Sequence, residues 1–298
     1  MRNRLLTLTL TFAALVPWST AAAQQKVDIH RSCTPTVSVR LGGAMSSVKI
    51  IAWDRDSISL TGVLASGSKM DGGPYNVTGP VTGMKFFVEA IDETALLGNK
   101  LELRVPRNAR VWIKAGSADI EASGVTGGLD LNIVGGSVRV NAKPRELIVE
   151  SMDGSVTVSG SPGYARLKTA TGDVTLQGNG EDVTITTVSG AIRVSEGTVE
   201  RGRFESVTGP IVFTGDLPRR GDLRFDTHSG SIEVRMPRQA SVEIDAATVT
   251  GTIENAWSNA RPIAGREGRG MELGTSSGMG GARVLVRSFK GNVRLGTK

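Results

Sequence analysis

A short phrase, Ser/Thr-x-Ser/Thr-Gly followed by alternating aliphatic residues, recurs through the second half of this 298-residue chain and restricts its fold more than any other feature. The copies centre on Gly154, Gly172, Gly190, Gly209, Gly230, Gly251 and Gly291, with a weaker copy at Gly136. The spacings from Gly136 onward are 18, 18, 18, 19, 21, 21 and 40 residues, the last about two periods with one copy lost or interrupted. A fixed period near 20 residues implies supersecondary units that stack on one another.

Positions two and four after each glycine are apolar: Val138 and Val140, Val156 and Val158, Val174 and Leu176, Ile192 and Val194, Ile211 and Phe213, Ile232 and Val234, Val293 and Leu295. Positions one and three are mostly polar, and this period of two marks a half-buried strand. A second strand precedes the glycine, with apolar pairs such as Leu147 and Val149, Val183 and Ile185, or Val284 and Val286. The expected fold is therefore all-β, a β-solenoid resembling a parallel β-helix with about 18 to 21 residues per coil. Coils about 4.8 Å apart would put eight of them into a rod on the order of 40 Å long. The repeat glycines are expected at turns that need positive φ or close backbone approach, with the neighbouring Ser and Thr bonding corner backbone groups.

Paired five-residue strands cannot bury their apolar faces alone, so both ends of such an array need a cover. Residues 24–110 are expected to supply it as an N-terminal β-strand cap, and residues 111–298 to carry the repeats. An irregular insert at 255–281, rich in Gly, Arg and Asn, reads as a loop or a degenerate coil. A single turn at Glu93 to Leu97 is the one helical prospect.

Residues 1–23 have the layout of a secretory signal peptide: Arg2 and Arg4, an apolar run from Leu5 to Val16, then Ala21-Ala22-Ala23 with cleavage expected after Ala23. That run is too short to span a bilayer, and no later stretch approaches the required 20 or so apolar residues. The expected location is outside the cytoplasm, periplasmic or at the cell surface, with no transmembrane segment once the signal is removed. Cys33 is the only cysteine, so no intramolecular disulfide forms. It reads as an incidental thiol near a free N-terminus, and His30 as part of that tail. Losing Arg2 and Arg4 lowers the formal charge from +6 to about +4, and the charges are scattered, so nucleic acid is not an expected partner.

The segments Ser47-Val-Lys-Ile-Ile-Ala-Trp-Asp54, Leu101-Glu-Leu-Arg-Val-Pro106 and Gly116-Ser-Ala-Asp-Ile-Glu121, followed by the Ser/Thr-Gly-x-Ile/Val phrases, resemble the bacterial putative-adhesin family. The resemblance runs over residues 38 to 298 and rests on the order and number of its motifs. It implies a β-strand repeat protein of the cell envelope, a domain of unknown function with no catalytic residues to transfer. Ala118 in place of Gly, Asn255 in place of a core aliphatic, and the long gap before Gly291 depart from the pattern.

Few side chains suggest chemistry, and no catalytic, cofactor or metal residue is assigned. Gly274-Thr-Ser276-Ser-Gly278 matches a nucleophile elbow, which functions only at a strand-to-helix turn beside an acid and a His. The two histidines, His30 and His228, cannot supply a multi-His metal site. His228 occupies a repeat position held elsewhere by Met152, Val188, Val207, Val249 and Phe289, which suits a ladder residue. Glu233 and Glu254 share a position in copies adjacent in sequence, which would set them about 5 Å apart as a cation site or acid pair, the basis for an alternative polysaccharide-acting enzyme, but with Arg193 and Arg235 nearby the leading reading is charge alternation on a solvated face. Asp153 and Asp173 read as turn residues, Trp53 and Trp112 as core or cap, Asn76-Val-Thr78 as a chance sequon, and Trp257 as the one aromatic worth testing against sugars. The leading expectation is a non-enzymatic adhesin or interaction scaffold that binds an envelope protein or surface polymer, with self-association through open coil ends or an envelope-stress role as variants.

Overall fold

The computed structural model describes residues 24–76, 78–265, 268–279 and 281–298, so the signal-peptide reading of residues 1–23 lies outside it. The described residues are all-β apart from the six-residue helix Glu93–Gly98, which Asp92 caps by accepting the Ala95 N–H at 2.7 Å. Two parallel ladders organise the strands. In the ladder after the glycines, Val138, Val156, Val174, Ile192, Ile211 and Ile232 are successive partners in one register. In the ladder before them, Leu129, Leu147, Ala165 and Val183 are likewise in line. Period-two alternation sends these side chains inward as continuous columns, and all of them are fully buried. Phe204, Phe213 and Phe225 widen the column locally, with ring centroids 5.1 Å apart for Phe204 and Phe225 and 5.6 Å for Phe213 and Phe225.

The repeats do not stack in sequence order. Strand Ala282–Ser288 lies between Asp222–Thr227 and Val242–Thr248, and strand Val293–Thr297 lies between Ile232–Met236 and Ile253–Asn255. The Gly291 repeat is thus inserted between the Gly230 and Gly251 repeats, which corrects the expectation of a lost copy in the 40-residue gap. The intervening chain leads outward instead. Met271–Ser277 pairs antiparallel with Val242–Thr248 and covers that edge, while Trp257 is buried and its indole N–H donates to the Pro237 carbonyl at 3.0 Å. Asn255 stands beside Leu295 but uses its side chain to bind Ser258, Ala260 and the Trp257 N–H, so it shapes a corner where an aliphatic residue was expected.

The other end is interleaved in the same way. Residues 38–43 pair in parallel with both 83–88 and 110–115, and Ser47–Trp53 pairs with both Lys100–Pro106 and residues 119–123. Residues 25–32 run antiparallel to Ser57–Leu64, which in turn pairs with Lys100–Pro106, so the pairings here close a ring. His30 and Cys33 therefore belong to strand Gln25–Gly43, and neither lies in a loose tail. Cys33 is buried, and burial first, then the charge of Asp56, pushes its thiol up to about 11. At about pH 8 only on the order of a thousandth of it is thiolate, the reactive form. Iodoacetamide should alkylate the native chain very slowly and the urea-unfolded chain readily, as read by mass spectrometry; rapid native labelling would contradict this placement.

Candidate functional site

The corners carry the glycines and hydroxyls that the repeat phrase supplies. A Cβ on Gly172, Gly190, Gly209 or Gly230 would collide with the carbonyl oxygen of the glycine one repeat earlier, at Gly154, Gly172, Gly190 and Gly209. Gly291 approaches Gly230 and Gly251 approaches Gly291 in the same way, while a Cβ on Gly154 would lie 2.8 Å from the Gly136 oxygen. Close approach is the general reason for glycine, and among the eight only Gly136 has positive φ, at 97°. Behind them runs a row of hydroxyls. Ser151 accepts the Gly154 N–H at 2.8 Å, Thr187 accepts that of Gly190 at 3.0 Å, Ser288 that of Gly291 at 2.8 Å, and Thr169 donates to the Gly172 carbonyl at 2.6 Å.

Outward side chains of the ladder after the glycines form straight rows on one face. Ser123, Asn141, Ser159 and Gln177 make one row, and Lys49, Glu121, Arg139, Thr157, Thr175 and Arg193 the next. At their N-terminal end a depression of about 310 Å³ is lined by Lys49, Glu121, Arg139, Asn141, Thr157 and Ser159, among others. Arg139 donates to Ser137 at 2.8 Å, Ser137 donates to Asp119 at 2.6 Å, and Ser159 donates to the Gln177 amide oxygen at 3.2 Å. Among the described residues Lys49, Glu121 and Arg139 make no salt bridge, and the register sets Glu121 between the two cations. Farther along, Asp173 is engaged by the Ala191 N–H and by Arg193, which together hold it below the usual carboxylate range. The face offers hydroxyl, amide and charged groups, the set that binds polar polymers through hydrogen bonds.

Sequence reasoning about polar positions identified the outward rows but not this depression, because Lys49 joins it only through the interleaved pairing of Ser47–Trp53 with residues 119–123. Other candidates fare differently. Arg294 stands between Glu233 and Glu254 in the register, so the expected direct neighbours are separated by an arginine. Arg294 binds Glu254 at 2.9 Å and Arg235 binds Glu233 at 2.8 Å, which removes both the acid pair and the shared cation site. Ser276 lies on the antiparallel strand Met271–Ser277, followed by a bend and no helix, so the elbow geometry is missing. Among the described residues no three of His, Cys, Asp and Glu gather as metal ligands would. Trp257 is too deeply buried to stack on a sugar. Trp112 faces outward, contrary to its expected place in the core or cap. His228 stacks on Phe289 with centroids 5.1 Å apart, on the outside of a corner. No described helix is long and apolar enough to cross a membrane.

A family model described as Toastrack DUF4097 matches residues 42–295. No curated protein matches the chain. Two similar solved structures are a putative cell adhesion protein from Clostridium sporogenes ATCC 15579 and a putative adhesin from Bacteroides fragilis NCTC 9343. The first is 9% identical with a TM-score of 0.28, the second 9% identical with a TM-score of 0.42, and each alignment covers 93% of this chain and 99% of the other.

Proposed function

From the premise that this chain belongs to the Toastrack DUF4097 family, a putative-adhesin domain of unknown function, we propose that it is a non-enzymatic interaction scaffold of the cell envelope. On this reading residues 1–23 direct export, residues 24–110 form the N-terminal cover, and residues 111–298 form a β-solenoid that presents one flat polar face. The partner is a surface polymer or an envelope protein. The observation that carries the reading is the set of in-register rows around Arg139, Asn141, Thr157 and Ser159, whose hydroxyl, amide and charged groups are repeated at strand spacing. A regular polar face suits a repetitive or extended partner, because each further coil adds a similar set of hydrogen bonds.

The test is retention of the full chain on envelope preparations and on purified cell-wall polysaccharide. Replacing Arg139, Asn141, Thr157 and Ser159 together by Ala should weaken binding at least tenfold. Stability should fall only modestly, since Arg139 and Asn141 are exposed, Thr157 and Ser159 are half-buried on the outer face, and outward positions of this kind each shift it by about 0.5 kcal/mol or less. Undiminished binding by a folded variant would refute the assignment of this face.

A further inference from the structure

The opposite ladder carries a feature that the scaffold reading does not use. Residues two before the repeat glycines form a corner stripe in which Val134, Met152, Val188, Val207, Phe289 and Val249 are apolar and 41% to 57% exposed, with Ala170 and His228 in the two remaining places. At its N-terminal end the stripe opens into a groove of about 560 Å³ lined by Phe87, Trp112 and Val134, with a largely apolar wall. The groove exists because Gly42 faces Phe87 on one side and Lys114 on the other and puts no side chain between them. Arg40, Lys85 and Lys114 ring the mouth. Arg40 pairs in register with Lys85 and with Trp112, and among the described residues none of the three cations has a carboxylate within salt-bridge distance.

An apolar groove rimmed by unpaired cations is complementary to an amphiphile with a negative head. We propose that this groove binds a single-chain lipid anion, its head among Arg40, Lys85 and Lys114 and its chain over Phe87 and Trp112 and along Val134 and Met152. The stripe from Val134 to Val188 covers three strand spacings, about 14 Å. That approximates half of a hydrocarbon core about 30 Å thick, the reach of one acyl chain. The charge pattern favours a single molecule over a bilayer. Asp153 directly follows Met152, and farther along Glu205 and Asp226 lie beside the stripe, so an anionic membrane laid along it would meet carboxylates.

Calorimetric titration of the full chain with monomeric laurate should give one saturable site. The neutral octaethylene glycol dodecyl ether and the cationic dodecyltrimethylammonium should each bind at least tenfold more weakly. A Cβ on Gly42 meets Phe87 at 3.4 Å, ordinary contact, so Gly42→Val should fold and fill the groove, with at least a tenfold loss of laurate binding. The double variant Lys85→Glu, Lys114→Glu alters only exposed side chains and should weaken laurate at least tenfold without affecting binding to envelope polysaccharide. That second readout separates failure here from failure of the polar-face assignment. Absence of a saturable laurate site, equal binding of the neutral ether, or unaltered binding in both folded variants would overturn the proposal. So would capture on phosphatidylglycerol vesicles without monomer binding, which would assign the stripe to a bilayer surface.

Discussion

Truncation of the chain after Gly281 should unfold far more than the residues removed. The lost strands Ala282–Ser288 and Val293–Thr297 carry Val284, Val286, Val293 and Leu295, all buried. Their burial contributes on the order of 6 to 12 kcal/mol at about 1.5 to 3 kcal/mol per side chain. That is comparable with the whole stability of an ordinary domain, about 5 to 15 kcal/mol. Because these strands lie between two other repeats, their removal also strips the partners from Ile253–Asn255 and from one edge of Ile232–Met236. Limited proteolysis of the truncated chain should give a resistant core that ends near residue 236, because Asp222–Thr227 and Ile232–Met236 keep their partners in the preceding repeat. A core extending through residue 255 would mean that the Gly251 repeat packs directly on the Gly230 repeat, and the interleaved order would be wrong.

Gly190→Ala should destabilise the chain by about 3 kcal/mol or more, at the upper end of what overpacking costs. The added methyl would meet the Gly172 carbonyl, a backbone group that already accepts the Thr169 hydroxyl at 2.6 Å and leads directly into the paired strand from Val174, so no rotamer change relieves it. Gly116→Ala is the matched control, since nothing lies within 4 Å of its Cβ. That change should be neutral or stabilising by about 0.4 to 1 kcal/mol through loss of unfolded-state freedom. Urea denaturation distinguishes the two. Equal effects would mean that close approach is not what keeps glycine at these corners.

The strand pattern was legible because aliphatic residues at period two have few other ways to be buried. The order of the repeats was not, because Gly230, Gly251 and Gly291 head nearly interchangeable phrases, and any two of them could stack. One signal was nevertheless present in the outward residues. Glu233 directly beside Glu254 would oppose like charges across a strand pair, which is unfavourable, whereas placing Arg294 between them gives alternation. Cross-strand charge therefore identifies the neighbour that hydrophobic period alone leaves ambiguous. The polar depression and the apolar groove both depend on residues 38–53 stacking against 110–123 across some 70 residues of chain. The local pattern of either segment contains nothing that specifies the other.

The interleaving also determines how the molecule bears load. A terminal winding that lies at the end of a stack can be peeled away one hydrogen bond at a time. Strand Val293–Thr297 is flanked on both sides, so tension entering through it must shear two ladders together. A chain pulled from that end would resist extraction much as a slat gripped in a slot does, and single-molecule stretching from Lys298 should meet its highest rupture force first.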